Sequence, residues 1–175
     1  MIERLLAIED PEEQDRLWNF YEQIFQPVNE LTPIIQTFPK ANFIGFLMNP
    51  RAVKFIVREE GEIVALAIIA DPEGWDSWLS PAYFAKNYPG KIVFQVPAIA
   101  IAPKRRASPL AVRLVKAIIN EVPANAVVAL TYSELVNPLM PKLVQATGVM
   151  DYAEGGKVDA EACLVFQWKA GKVQL

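Results

Sequence analysis

Residues 91–122 constrain this chain more tightly than any other stretch. They read KIVFQVPAIAIAPKRRASPLAVRLVKAIINEV: a nearly all-apolar strand, a basic turn, then an amphipathic helix. Ser108 is suited to the N-cap of that helix and Pro109 to its first position. Leu110, Ala111, Leu114, Val115, Ile118 and Ile119 then form one stripe that has to be laid on the sheet. Lys104, Arg105 and Arg106 stand at the helix mouth, where free backbone N–H groups and the helix dipole favour an anion such as phosphate. A capped helix preceded by solvated charges accounts for the same residues equally well. Inside the strand, Pro97 cannot donate to a ladder, so a bulge or a local loss of pairing is expected there.

The surrounding segments extend this pattern. Asp10-Pro11-Glu12-Glu13 opens a first helix as N-cap, N1 and N3, and the sequence places its end before Pro27. Helical segments are expected near 31–36 and over 41–48, with Trp18, Phe38, Phe43 and Phe46 in the core. Residues 52–70 read as a β-hairpin. Val53, Phe55 and Val57 alternate with Lys54, Ile56 and Arg58, which predicts one mostly polar face. Glu59-Glu60-Gly61-Glu62 supplies the turn, and residues 63–70 return as a buried strand. Residues 71–90 are loop-like, with Ser80-Pro81 capping a short helix. The aromatic rings of that loop, Trp75 to Tyr88, either pack it on the sheet or line a pocket. Further on, 127–131 reads as a strand, 137–146 as a short helix and 163–168 as a last strand. The order predicts an α/β (α+β) fold with a mixed, mainly antiparallel sheet flanked by helices, in one domain spanning 1–175.

Composition narrows the chemistry. The chain has no histidine and one cysteine, Cys163, which excludes Ser–His–Asp and Cys–His catalysis, two-histidine zinc sites and an intrachain disulfide. Acid–base work is left to carboxylates, Tyr, Lys, a terminus or water. A net charge of −3 argues against a protein dedicated to nucleic acid. No apolar run approaches the roughly 20 residues that span a bilayer, and none matches a signal-peptide core. A cytoplasmic location without membrane association is therefore expected.

Element order and the 103–111 segment together resemble the Gcn5-related N-acyltransferase (GNAT) superfamily. In that family a strand ends at a proline, and a Q/R-x-x-G-x-G/A loop leads into a long helix whose amides hold the pyrophosphate of acyl-coenzyme A. The corresponding residues here are Pro103 and Arg106-Ala107-Ser108-Pro109-Leu110-Ala111. Arg106 and Ala111 match the pattern. Pro109 replaces the internal glycine and so deletes one anion-facing amide, while the amides of Leu110, Ala111 and Val112 and the side chains of Lys104, Arg105 and Arg106 are expected to serve. The resemblance implies acetyl-CoA or another acyl-CoA as cosubstrate, with no metal. It implies that a bulge at Pro97 splays the fourth strand from the fifth and leaves Ile99 and Ile101 to pair with the pantetheine arm. It also implies a cofactor contact from Asn137, although an Asn-Pro pair opening a helix is equally an ordinary N-cap.

For the chemistry itself, the family often has a tyrosine where this chain has Val144, and a fourth-strand glutamate where Phe94–Ala98 offers only Gln95. The substitutes are Tyr132, Ser133 or Glu134 at the end of the fifth strand, or Tyr83 or Tyr88 from the aromatic segment, and Tyr132 and Glu134 are taken as the catalytic candidates. The function implied is transfer of an acyl group, acetyl above all, to an amine on a small molecule or peptide by direct attack. The alternative is a catalytically degenerate GNAT fold that binds a ligand or partner. The sequence also leaves room for a homodimer.

Overall fold

The computed structural model describes residues 1–31, 37–71, 79–106, 108–123, 125–132 and 140–147. Its elements are β1 (Ile2–Leu5), α1 (Pro11–Leu31), α2 (Lys40–Met48), β2 (Ala52–Glu59), β3 (Glu62–Ala70), α3 (Pro81–Asn87), β4 (Ile92–Ile101), α4 (Leu110–Asn120), β5 (Ala126–Leu130) and α5 (Met140–Gln145). The strands form one sheet in the order β1-β2-β3-β4-β5. All neighbours are antiparallel except β4 and β5, which run parallel. The strand read over 163–168 and the helix read near 31–36 lie outside the described residues, apart from Leu31, which closes α1. β1 was not legible in advance, because its four residues show no usable alternation.

Strand alternation sends side chains to two cores. Ala52, Ile56, Leu66, Ile68, Ala70, Ala98 and Ala100 meet Leu17 and Tyr21 of α1 and Phe43, Phe46 and Leu47 of α2. Phe55, Val57, Ala65, Ala67, Ile69, Val96 and Ile101 meet Leu110, Ala111, Leu114 and Ile118 of α4. The aromatics expected in the core are there, with Tyr21 stacked on Phe43 at 4.6 Å between ring centroids.

The hairpin has the predicted limits. Glu60 and Gly61 take φ values of 52° and 87°, the pair of positive φ angles that a tight two-residue hairpin turn demands. In β4, Gln95 pairs with Ala70 and Ala98 with Ile68, so Val96 and Pro97 together oppose Ile69 alone. This is the bulge expected at Pro97. It also reverses the strand's parity. Phe94 and Val96 face α4 before it, and Ile99 and Ile101 face α4 after it.

Two expectations need correction. Helix α1 does not stop before Pro27 but runs on to Leu31. Proline removes one backbone bond inside the helix; the next turn is nevertheless retained, because Val28 is buried and Asn29 donates to Thr37 Oγ1 at 3.1 Å. Nor is the Lys54 face of β2 polar. Lys54 is wholly buried on the side that faces α1 and α2. Its ammonium donates to Leu6 O at 2.6 Å and to Asn49 O at 2.7 Å. Asn49 caps the C-terminus of α2, where the helix dipole favours a cation. The long stem fills the core, and its charge ties the β1 exit to the end of α2.

Burial pushes the Lys54 ammonium down from 10.5 to about 8. Above pH 8 the unfolded chain holds this proton more readily than the folded one, so folding stability rises with pH until the ordinary value near 10.5 is passed. Burial raises the Tyr21 phenol above its usual 10, which works in the opposite direction above that pH. Urea midpoints should therefore climb from pH 8 to about pH 10 in the wild type and stay level in Lys54→Met. A flat wild-type profile would contradict the buried amine.

Candidate functional site

The site grows out of the bulge. The parallel ladder pairs Ile92–Val96 of β4 with Ala126–Leu130 of β5 and stops there. Beyond Val96, among the described residues, β4 pairs only with β3. Ala102 N donates to Val64 O at 2.9 Å, which fixes the phase of that antiparallel ladder. Since facing pairs alternate, the backbone groups of Ala98 and Ala100 turn toward β3. Those of Ile99 and Ile101 turn away from it, toward the side that β5 has left. The two isoleucines singled out from the sequence are thus the ones with outward-facing amides and carbonyls.

The turn that follows is wound tightly on itself. A 3₁₀ turn spans Pro103–Arg105. Arg105 N donates to Ala102 O at 2.8 Å, Arg106 N to Pro103 O at 3.3 Å and Ser108 N to Arg105 O at 3.1 Å. Ser108 Oγ donates to Arg105 O at 2.7 Å and accepts from Leu110 N at 3.3 Å. Pro109 sits in helical geometry with φ −59°, so Ser108 is in effect the cap and Pro109 the first helical residue, as the sequence indicates. Ala111 N donates to Ser108 O at 3.4 Å. The amides of Leu110 and Ala111, expected to face an anion, are turned inward through long bonds. The cause is the Ser-Pro pair: proline sets the helical φ, and the serine brings both its oxygens under the first amides.

Side chains are left as the outward-facing cations. Arg105 is held by Glu59 at the hairpin tip, with Nε to Oε2 at 2.9 Å. Lys104 and Arg106 are exposed, and Arg106 Nε reaches back to Ile101 O at 3.3 Å. On the hairpin side of the turn, a cleft of about 260 Å³ is lined by Met1, Glu59, Arg105, Ser108, Leu110 and Arg113 among others. The Glu59–Arg105 tie is not legible in the sequence, where Glu59 is one residue of a turn. An acidic hairpin tip and a basic turn are visible separately, but only the strand order brings them together.

Tyr132 lies two residues past the end of β5 and is half-buried. Ala107, Glu134 and Asn137 lie outside the described residues. Gln95 is wholly buried in the sheet, and Val144 lies on α5. In the aromatic segment, Phe84 meets Tyr83 edge-on at 5.3 Å and stacks on Tyr88 at 5.8 Å. None of the residues of α3 is buried. These rings therefore pack on one another. Among the described residues, no cluster of Cys, Asp or Glu could hold a metal, and no helix is long and apolar enough to cross a membrane.

No protein-family model matches this sequence, and no curated protein matches it either. Solved structures do share the fold. A predicted acetyltransferase with acetyl-CoA from Clostridium acetobutylicum superposes with a TM-score of 0.57 at 19% identity, over 91% of this chain and 96% of that one. A possible acetyltransferase from Clostridium difficile 630 gives 0.56 at 14% identity, over 94% and 99%. Aminoglycoside N-acetyltransferase AAC(6')-Iy in complex with CoA gives 0.53 at 14% identity, over 97% and 94%. The chain therefore has the GNAT fold, with a mostly antiparallel sheet of five strands among the described residues, flanked by helices.

The cap makes a separate prediction. Ser108→Ala removes the acceptor for Leu110 N and the donor to Arg105 O, and should cost about 1 kcal/mol of unfolding free energy. Chemical denaturation of the two proteins measures this; equal stabilities would mean that Ser108 does not hold the turn.

Proposed function

We propose that the protein transfers an acyl group, acetyl in the simplest case, from acyl-CoA to the amine of a small molecule or peptide. The observation that carries this reading is the end of the β4–β5 ladder at the Pro97 bulge, with Ile99 and Ile101 backbone groups facing the vacated side. An extended arm bearing amides can add to such an edge as a further strand, and pantetheine is an arm of that kind. The presence of CoA or acetyl-CoA in structures of the same fold supports the reading.

The residues fit the cosubstrate in a particular way. Lys104 and Arg106 offer exposed positive charge for the pyrophosphate. Ala107, Ser108, Leu110 and Ala111 are its proposed backbone cradle, in which Leu110 and Ala111 donate after giving up their long bonds to Ser108. Asn137 is assigned as a further contact. Bound acyl-CoA would supply the thioester that the amine attacks. The chain's part is to align the arm along Ile99 and Ile101, to seat the phosphates, and to move a proton. Tyr132 and Glu134, beyond β5, are assigned to the proton, since the amine has to arrive neutral and the departing thiolate has to be protonated.

A second reading, ligand binding without turnover, is favoured by Val144 on α5 and by buried Gln95. Both replace groups that the family uses for acid–base work. Calorimetry with acetyl-CoA, followed by thiol release across an amine panel, separates the two. Micromolar to submillimolar binding with turnover is expected. Binding without turnover on any amine would favour the second reading, and no binding at millimolar acetyl-CoA would remove both forms of the CoA proposal. Pro109→Gly restores an amide at the helix mouth and should tighten acetyl-CoA binding by about two- to tenfold. Unchanged or weaker binding would mean that the phosphates do not meet this backbone.

A further inference from the structure

Arg106 stands between the two halves of the proposed site. Its backbone closes the 3₁₀ turn by donating to Pro103 O, and that turn curls its side chain back onto the end of β4. There the Nε donates to Ile101 O at 3.3 Å. The Ile101 carbonyl is one of the outward-facing groups on the open edge, so Arg106 occupies an acceptor that an added strand would need. The contact is long and joins a cation to a neutral acceptor. An Arg–phosphate contact pairs opposite charges, is shorter and is often bidentate, whereas this one joins a cation to a single neutral carbonyl. The neighbouring Arg105 cannot exchange partners so readily, because Glu59 holds it by two guanidinium nitrogens.

We propose that Arg106 is a displaceable plug on the open edge of β4. In the free protein it covers the Ile101 carbonyl; an incoming pyrophosphate draws the guanidinium away and uncovers that carbonyl for the arm. This rests on the acyl-CoA reading and adds to it a source of specificity. A thioester that carries the pyrophosphate removes the plug itself, whereas a truncated thioester has to compete with it. Arg106 therefore couples phosphate recognition to strand pairing, and by linkage the coupling is reciprocal.

The test compares acetyl-CoA with acetyl-pantetheine, which keeps the arm and thioester but lacks the pyrophosphate, by calorimetry on the wild type and Arg106→Ala. The side chain is exposed, and matched thermal unfolding curves verify that the variant folds. Acetyl-CoA should bind the variant about tenfold or more weakly, while acetyl-pantetheine should bind it about two- to tenfold more tightly. Inorganic pyrophosphate at saturation should tighten acetyl-pantetheine on the wild type and leave the variant unchanged. Acetyl-pantetheine binding wild type and variant equally, or binding neither while acetyl-CoA binds the wild type, would overturn the plug. An unchanged acetyl-CoA affinity in the variant would overturn it too. A wild type that binds neither thioester would instead remove the acyl-CoA reading on which the plug rests.

Discussion

The two-against-one pairing of Val96 and Pro97 with Ile69 is the constraint on which the rest depends. A proline in the centre of a regular ladder leaves one bond unmade, and here that loss falls at the point where β4 changes neighbours. Up to Val96 the strand lies between β3 and β5; past Pro97 it keeps only β3 among the described residues. The extra residue also turns the strand by one side-chain step. Without it, Ile99 and Ile101 would face α1 and α2, and Ala98 and Ala100 would face α4. With it, small alanines pack beneath the two-helix layer and the isoleucines meet α4. The same residue thus serves core packing and opens the edge.

The turn after β4 is stabilised from two directions. Internally, Ser108 acts on both sides at once, as donor to Arg105 O and acceptor from Leu110 N. Externally, the hairpin tip holds it through Glu59 and Arg105. Both charged groups are substantially exposed, so solvent screens the pair and it fixes position more than it adds stability. Similar partly exposed pairs run along the β1 edge, where Arg58 lies within reach of both Glu3 and Glu13. Glu13, the N3 residue of α1, thus also belongs to a charged seam between α1 and the sheet.

What could be read from the sequence was set by range. The hairpin turn, the Ser80 and Ser108 caps, the Asp10 cap and the Pro97 bulge depend on residues within a few positions of each other, and each lies where local chemistry puts it. Ile99 and Ile101 follow from the family resemblance; their outward phase is set by the ladder with β3, through Ala102 N and Val64 O. What failed depended on distant residues. Lys54 reads as polar until α2 brings a helix C-terminus over it, and Pro27 reads as a stop until Val28 finds a core to enter. The inward turn of the Leu110 and Ala111 amides was hidden for a different reason. A capping serine and an anion compete for the same donors, and a sequence shows the donors without showing which acceptor holds them.

That competition bears on how an anion can be recognised at this helix mouth. Backbone amides in a glycine loop are fixed in direction, so they bind phosphate without affecting anything else. Here Pro109 has removed one amide, and Ser108 has engaged the next two. In the proposed site, recognition would pass largely to guanidinium and ammonium groups on flexible stems, which have to leave whatever they touch beforehand. Arg105 already has a carboxylate partner in Glu59, whereas Arg106 touches a neutral carbonyl on the strand edge. A loop that relies on a movable cation can link phosphate arrival to an event on the strand, which fixed amides cannot do. In the proposed site, a Ser-Pro pair in place of the glycine pattern would couple anion binding to the strand edge through the Ile101 carbonyl, which Arg106 covers.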